Sequence, residues 1–308
     1  ISRKTAHKYL RRYKTHGAAG LQEHSRCPHR YANLTDGTIE KLILSDRRRH
    51  PTWGPKKLRD LLLKTHGIGS PPSCSTIGAI LKRNGMIKSR KRRPGVYPAQ
   101  PAELTQAEYP NHVWTIDFKG WFKLGDGTRC DPLTVKDLKS HFMIGCRAMP
   151  NQQFKGTWYG FKCMARHYGL PGIIRVDHGT PFSAYGLGRL SRLSIWWIEQ
   201  GIVVEFTRPA SPQDNGSHER MHRDLKAEAT KPPSVNLRAQ QRRFQRWVYT
   251  YNHERPHESL GMRRPAEVYQ PSQKRMGENV KIRYPKDYLV KTVSSGGFFS
   301  FEGKSYHV

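Results

Sequence analysis

Acidic residues are scarce in this sequence. Its 308 residues include 24 Asp and Glu against 54 Lys and Arg, which gives a formal net charge of +30 at pH 7. A compact protein with this excess repels itself unless it meets a polyanion, so the charge balance predicts a nucleic-acid partner. More than half of the excess falls within residues 1–108.

Long hydrophobic runs and paired cysteines are also lacking. The segment 195–198 is among the longest apolar clusters and the mean hydropathy is −0.77, whereas a membrane-spanning helix needs ~20 apolar residues. We therefore expect no membrane association. Five scattered cysteines without a C-x-x-C pair exclude a disulfide framework and favour a reducing cytoplasm. Hydrophobic residues still form 36% of the chain, enough for folded cores.

Two helical units are predicted in the first third of the chain. Ser2 is expected to cap a helix within residues 1–16, whose cationic face is typical of a DNA-recognition helix and equally of a solvated surface helix. A second unit, with one helix starting near Pro55 and another capped by Ser73 or Ser75, has a helix-turn-helix pattern. The cationic, Pro-containing segment 88–101 predicts a linker along a DNA backbone or in a minor groove, with a solvated tether as the alternative.

Beyond residue 111 the pattern predicts a different fold class. Strands are expected around 113–118 and 141–148, and helices then alternate with strands, which is typical of a layered α/β core. Short strands predicted at 288–293, 298–301 and 305–308 indicate a small C-terminal β-barrel cut off before its last strands.

Three acids are candidates for chemistry. Asp117 lies inside an apolar strand, Asp177 ends another, and Glu219 begins a helix. Each has an ordinary alternative: a solvated edge-strand position for Asp117, a turn cap for Asp177, and for Glu219 an ion pair with Arg223 one helical turn away. Brought together, three carboxylates repel one another unless cations neutralise them, and their hard oxygens select Mg²⁺ or Mn²⁺. Two such ions suit phosphoryl transfer on a polyanion.

Several motifs, in order, resemble the DDE transposase and integrase superfamily, specifically bacterial insertion-sequence transposases with a retroviral-integrase-type core. The matching segments are Trp114 to Gly120, Arg175 to Phe182, Arg208 to His222, Tyr251 to His257 and Pro265-Ala266-Glu267. The resemblance implies that Asp117, Asp177 and Glu219 are the catalytic and metal-binding acids, with two Mg²⁺ or Mn²⁺ ions per site. Asp214 is the alternative third acid. His178 stands where the family motif usually has Asn.

The resemblance also implies a multidomain fold class, with helix-turn-helix N-terminal domains, an α/β RNase H-like core and the small β-barrel. The expected domains are the remnant of a first helix-turn-helix (1–35), a second one (36–87), a basic linker (88–108), the catalytic core (109–275) and a truncated β domain (276–308). The residues expected to contact DNA are all cationic: Arg3, Lys4, Lys8, Arg11, Lys82, Arg83, Arg90, Lys91, Arg92, Arg93, Arg223 and Lys226.

The function implied by the resemblance is that of a DNA transposase. Such an enzyme binds the terminal inverted repeats of a transposon, cleaves its ends with metal-activated water and joins the 3′-hydroxyl to target DNA by transesterification. Its expected partners are double-stranded DNA, at the transposon ends and the target, and at least one further copy of the chain, in a nucleoid-associated cytoplasmic setting. The alternatives are an inert end-bridging or repressor protein derived from a transposase and, among enzymes, an RNase H-like nuclease or resolvase.

Overall fold

The computed structural model describes residues 1–23, 34–87, 104–184, 189–208, 216–277, 286–294 and 296–307. The chain divides into two compact units, Ile1–Leu42 and Ile43–Val308. In the first, helix α1 (Arg3–His16) begins as expected at Ser2, whose side chain accepts a hydrogen bond from the backbone N–H of Thr5 at 3.2 Å. This bond satisfies one of the N–H groups that a helix start leaves without a partner.

Three further helices of the described residues lie between α1 and the core. They are α2 (Gly37–Arg49), which was not predicted, α3 (Pro55–Lys64) and α4 (Cys74–Arg83). Pro55 occupies the first turn of α3, where a missing N–H does no harm, and Ser73 caps α4 through the N–H of Thr76. Helices α3 and α4 bury a set of leucines and isoleucines: Leu58, Leu61, Leu62, Ile77, Ile80 and Leu81.

Arg255 joins this helical region to the core within the second unit. Its guanidinium binds the carboxylates of Asp224 at 2.6 Å and Glu228 at 3.0 Å, and it lies 6.0 Å from the ring of Trp53. Only 3% of Arg255 is exposed. Buried charges are tolerated when they are paired in this way, so the cluster fixes one packing arrangement.

The core is a mixed sheet with helices on both faces. Its strands are β1 (Val113–Phe118), β2 (Phe122–Lys123), β3 (Arg129–Asp137), β4 (Met143–Met149), β5 (Ile173–Val176) and β6 (Val203–Phe206). Their order is β4-β3-β1-β5-β6, and the short β2 pairs with the start of β3. Strands β1, β5 and β6 run parallel, whereas β3 is antiparallel to both β1 and β4.

Two hydrophobic clusters lie on opposite faces of this sheet. One packs α5 (Phe154–Tyr168) and α6 (Arg192–Glu199) through residues such as Phe161 and Trp197. The other packs α7 (Gly216–Ala229) and α8 (Leu237–Tyr249) through residues such as Leu225 and Phe244. The layered α/β core expected from the sequence is therefore confirmed.

The predicted C-terminal β-barrel is wrong for the part of the chain that is described. Strands β7 (Phe298–Phe301) and β8 (Lys304–His307) form only a two-stranded hairpin. The strand expected over 288–293 is irregular, and its large apolar side chains are exposed, Leu289 by 67%. An alternating sequence forms a strand only where another strand supplies hydrogen bonds. Among residues 286–294 and 296–307, β7 and β8 pair with each other, and residues 288–293 have no strand partner.

Among the described residues, the structure contains no helix that combines the length and the apolar character needed to cross a bilayer.

Candidate active site

Strand alternation aims Asp117 at α7. Trp114 and Ile116 enter the hydrophobic cluster beneath α5 and α6. Successive side chains point to opposite faces, so Thr115 and Asp117 face the other helical layer. Thr115 there hydrogen-bonds His218 at 2.7 Å, and a carboxylate oxygen of Asp117 lies 3.8 Å from Nδ1 of His222.

Parallel pairing brings Asp177 to the same edge. Thr115 of β1 is in register with Arg175 of β5, and two residues further along each strand come Asp117 and Asp177. Asp177 is exposed and accepts a hydrogen bond from the backbone N–H of Gly179 at 3.0 Å. A Cβ at position 179 would lie 3.2 Å from both carboxylate oxygens of Asp177. The carboxyl ends of neighbouring parallel strands are where α/β folds place ligands.

The first turn of α7 supplies Glu219, which is exposed between the buried His218 and His222. Burial and, to a smaller extent, the negative charges of Asp177 and Glu219 raise the pKa of Asp117 to about 7, against the opposing effects of the Phe118 N–H and Lys119. Asp177 and Glu219 therefore lie near enough to Asp117 for their charges to act on it. A carboxylate under this repulsion holds a proton or a cation more readily than an isolated one.

Two ordinary alternatives do not hold. Asp117 is not on a solvated edge strand, because β1 has partners on both sides and the Asp117 side chain is only 22% exposed. Within the described part of the chain, Glu219 and Arg223 form no ion pair within 4.0 Å. Asp177 does cap its own turn, and this bond leaves its second oxygen for other partners. The alternative acid Asp214 lies outside the described residues.

A histidine network behind Asp117 was missed at the sequence level. His218 bonds Thr115 and Thr134 at 2.7 Å each, and Nε2 of His222 bonds the same Thr134 at 2.8 Å. Burial, together with Lys119 and Lys136, lowers the pKa of His222 to about 3, so the ring is neutral. The spacing of the two histidines could have indicated that they lie together: they are four residues apart, so they share one face of α7, and that face meets polar residues of β1 and β3.

Asp117, His218 and His222 form a group whose ligand atoms lie within 4.8 Å of one another. Because the threonines already occupy both ring nitrogens of His218 and Nε2 of His222, Nδ1 of His222 is the only imidazole nitrogen of the group left without a short bond. Asp117 supplies the one carboxylate of this group, and Asp177 and Glu219 do not belong to it.

His178 anchors the loop that carries Asp177. Its Nε2 lies 2.7 Å from the carbonyl oxygen of Thr207, and its ring stacks on Phe206 at 5.4 Å. The substitution of His for the usual Asn is thus accommodated by contacts with β6 and the residue after it.

The predicted DNA-contacting cations fall in several places. Near the acids, Lys226 lies close enough to Lys119 to help lower its pKa, an effect due mainly to burial. Arg223 is exposed on the same helix. On the helices of the N-terminal third, the exposed candidates are Arg3, Lys4, Lys8, Arg11, Lys82 and Arg83. Arg90, Lys91, Arg92 and Arg93 lie outside the described residues. The contacts of all these cations with DNA stay predictions.

Comparison with known families gives two matches. Residues 200–265, which include Glu219, match an integrase core domain, and residues 5–81 match a homeodomain-like domain. The chain is 25% identical over 229 residues to the insertion element IS407 uncharacterized 31.7 kDa protein of Burkholderia multivorans, covering 73% of this chain and 77% of that protein. It is 26% identical over 277 residues to the insertion element IS476 uncharacterized 39.2 kDa protein of Xanthomonas euvesicatoria, covering 87% and 75%.

Two solved structures are also similar. The catalytic core domain of HTLV-2 integrase in complex with magnesium matches at 17% identity and a TM-score of 0.43, over 54% of this chain and 100% of that one. The simian T-cell lymphotropic virus intasome in complex with PP2A regulatory subunit B56 gamma matches at 17% identity and a TM-score of 0.48, over 80% of both chains.

Proposed function

We propose that this protein, which resembles DDE-type insertion-sequence transposases in its domain matches and its relatives, is a metal-dependent polynucleotidyl transferase acting on DNA. It binds the terminal inverted repeats, cleaves the transposon ends and joins the freed 3′-hydroxyl to target DNA by transesterification. The observation that carries the proposal is the parallel pairing of β1 and β5, which brings Asp117 and Asp177 to the same edge of the sheet beside α7.

The donor set fits a divalent cation. Three carboxylates drawn from β1, the end of β5 and α7 would hold Mg²⁺ or Mn²⁺ through the hard oxygen ligands that such ions prefer, and a bound cation would offset the effect of Asp177 and Glu219 on Asp117. Asp177 and Glu219 are exposed, which keeps one side of the group open to a substrate. Two bound ions supply activation of the attacking water or 3′-hydroxyl and stabilisation of the leaving oxygen.

The protein's own residues position the reacting groups. The backbone N–H of Phe118 favours the ionised form of Asp117, and the N–H of Gly179 orients Asp177. Lys119 and Lys226 lie beside the acids, so they can hold the phosphates that flank the cut. Nothing in this arrangement requires a covalent bond between protein and DNA, because the attacking oxygen comes from water or from the DNA itself.

The remaining cations bind the DNA outside the reaction centre. We assign Arg3, Lys4, Lys8 and Arg11 on α1 to groove and backbone contacts. Lys82 and Arg83 in the last turn of α4, Arg223 on α7 and the basic segment 90–93 add further contacts with phosphates. Joining two transposon ends requires two active sites, so the working form is at least a dimer on DNA, in the bacterial cytoplasm with the nucleoid.

The test is a cleavage assay on labelled duplexes that carry the DNA flanking the coding sequence. With Mg²⁺ the unaltered protein is expected to nick a strand at the element end, and Asp117→Asn to bind the same duplex without nicking it. Asp287→Asn, an exposed change in the tail, is the matched control and should cut normally. Binding without any nick by the unaltered protein would instead support an inert end-bridging or repressor protein. Cleavage of an RNA–DNA hybrid in preference to the duplex would support an RNase H-like nuclease.

A further inference from the structure

A polar cavity lies beside α7. It has a volume of about 590 Å³ and lies between the start of α3, the N-terminal half of α7 and the segment 255–259. Asp117, Asp177 and Glu219 are not among its lining residues. Of its lining residues, the proposed function uses Arg223 alone.

Cations without acidic partners line this cavity. Lys57, Lys136, Arg220 and Arg223 contribute to its wall, and none of them forms an ion pair within 4.0 Å with another described residue. The two lining acids are already neutralised: Asp224 pairs with Arg255 at 2.6 Å, and Glu258 pairs with Lys56 at 2.7 Å. The wall therefore carries uncompensated positive charge.

Buried polar atoms in the same wall also lack suitable partners. Lys136 is only 1% exposed, and its ammonium group donates to the carbonyl and hydroxyl oxygens of Ser217, which carry no charge. Nε2 of His257 is buried and has no hydrogen-bond partner. Burial lowers the pKa of Lys136 to about 7 and, with the charge of Arg255, lowers that of Lys57 to about 8. A buried cation without a counterion is costly, and an anionic ligand relieves that cost.

We propose that this cavity binds a phosphate group of the DNA backbone, held by Lys57, Lys136, Arg220 and Arg223. Phosphate offers several oxygens in different directions, which suits a mixed set of lysines and arginines. The proposal rests on the proposed function, since it assumes that DNA lies along α7. Arg223 is exposed and lies four residues beyond Glu219 on α7, so a duplex at the acids can extend to this wall.

The experiment removes one positive charge of the protein and one negative charge of the DNA, separately and together, and compares the DNA affinities. Lys57→Gln removes a cavity cation, Lys57→Arg keeps the charge, and Lys155→Gln removes an exposed cation of α5 as the matched control. Each protein is titrated with duplexes in which one phosphate at a time is a neutral methylphosphonate. We expect that a methylphosphonate at one position weakens DNA binding by the unaltered protein and by Lys57→Arg about tenfold. The same methylphosphonate should not weaken DNA binding by Lys57→Gln any further. Lys57→Gln should also lower the slope of log affinity against log salt by about 0.9.

A free phosphate as the ligand is tested by melting each protein with inorganic phosphate. Stabilisation that depends on Lys57, without any coupled methylphosphonate position, would assign the cavity to a free phosphate compound and overturn the DNA assignment. Normal cleavage without a coupled position and without phosphate stabilisation would overturn the cavity site and leave the proposed function intact. An unaltered protein that binds no duplex would overturn the proposed function and, with it, DNA as the source of the phosphate.

Discussion

Asp117→Asn should make the metal-free protein more stable at the same time as it abolishes the reaction. The folded protein raises the pKa of Asp117 from 3.8 to about 7, so the unfolded chain ionises more readily than the folded one. For this group, stability is highest in acid and falls as the pH rises from about 4 to 7. Above pH 7 the full penalty for the ionised carboxylate is present.

The size of this effect follows from the shift in pKa. A pKa that rises from 3.8 to about 7 corresponds to about 4 kcal/mol, an upper value because 22% of the side chain meets solvent. Asn is nearly isosteric and uncharged. The free energy of unfolding should therefore rise by up to about 4 kcal/mol in Asp117→Asn at pH 8, and the gain should be about 2–3 kcal/mol smaller at pH 5.

Denaturant titrations at pH 5 and pH 8, with and without Mg²⁺, measure this effect through the fluorescence of the buried Trp114 and Trp197. Mg²⁺ should stabilise the unaltered protein and the exposed control Asp287→Asn, and have little effect on Asp117→Asn. The reasoning is refuted if Asp117→Asn is no more stable than the unaltered protein at pH 8 without metal. A gain that is equal at the two pH values would refute it as well.

The other predictions address the core, the Asp177 loop and the basic surface. An unfolded lysine keeps its proton up to about pH 10.5, whereas burial lowers the pKa of Lys136 to about 7 in the folded protein. The free energy of unfolding should therefore rise by ~1.4 kcal/mol per pH unit between these two values. Urea titrations should find that this rise is absent in Lys136→Met. Arg255→Met leaves two largely buried carboxylates unpaired and should lower the free energy of unfolding by about 3–5 kcal/mol, measured by denaturation. Gly179→Ala should displace the carboxylate of Asp177 and weaken Mg²⁺ stabilisation in thermal melts, whereas Gly37→Ala, whose Cβ meets nothing within 4 Å, should not. DNA affinity measured from 50 to 200 mM salt should fall steeply, and a flat response would contradict the assignment of the basic surface.

Periodicity and caps predicted most of the elements. Ser2 and Ser73 cap their helices as expected, because a hydroxyl beside free N–H groups acts locally. The same local rules failed in the tail, where residues 288–293 have an alternating pattern but are irregular. A strand depends on a partner, and the pattern of one segment does not say whether a partner is there.

For the candidate site, the motifs mark three candidate acids, and the structure adds the groups that surround Asp117. His222, three residues beyond Glu219 on α7, is buried against Thr134 beneath Asp117. Helical spacing gives the direction of a side chain around the axis but not what lies opposite, so the threonine and histidine network could not be predicted from α7 alone.

The sequence by itself determined the properties that depend on composition and short range: the net charge, the ends of the helices, the alternation in β1 that turns Asp117 away from Trp114, and the motifs that mark the acids. The tertiary structure alone decided which groups share a low-dielectric environment. The pKa of Asp117 and the excess positive charge around Lys57 and Lys136 arise between elements far apart in the chain. Electrostatic interactions there depend on distance and burial in the folded protein.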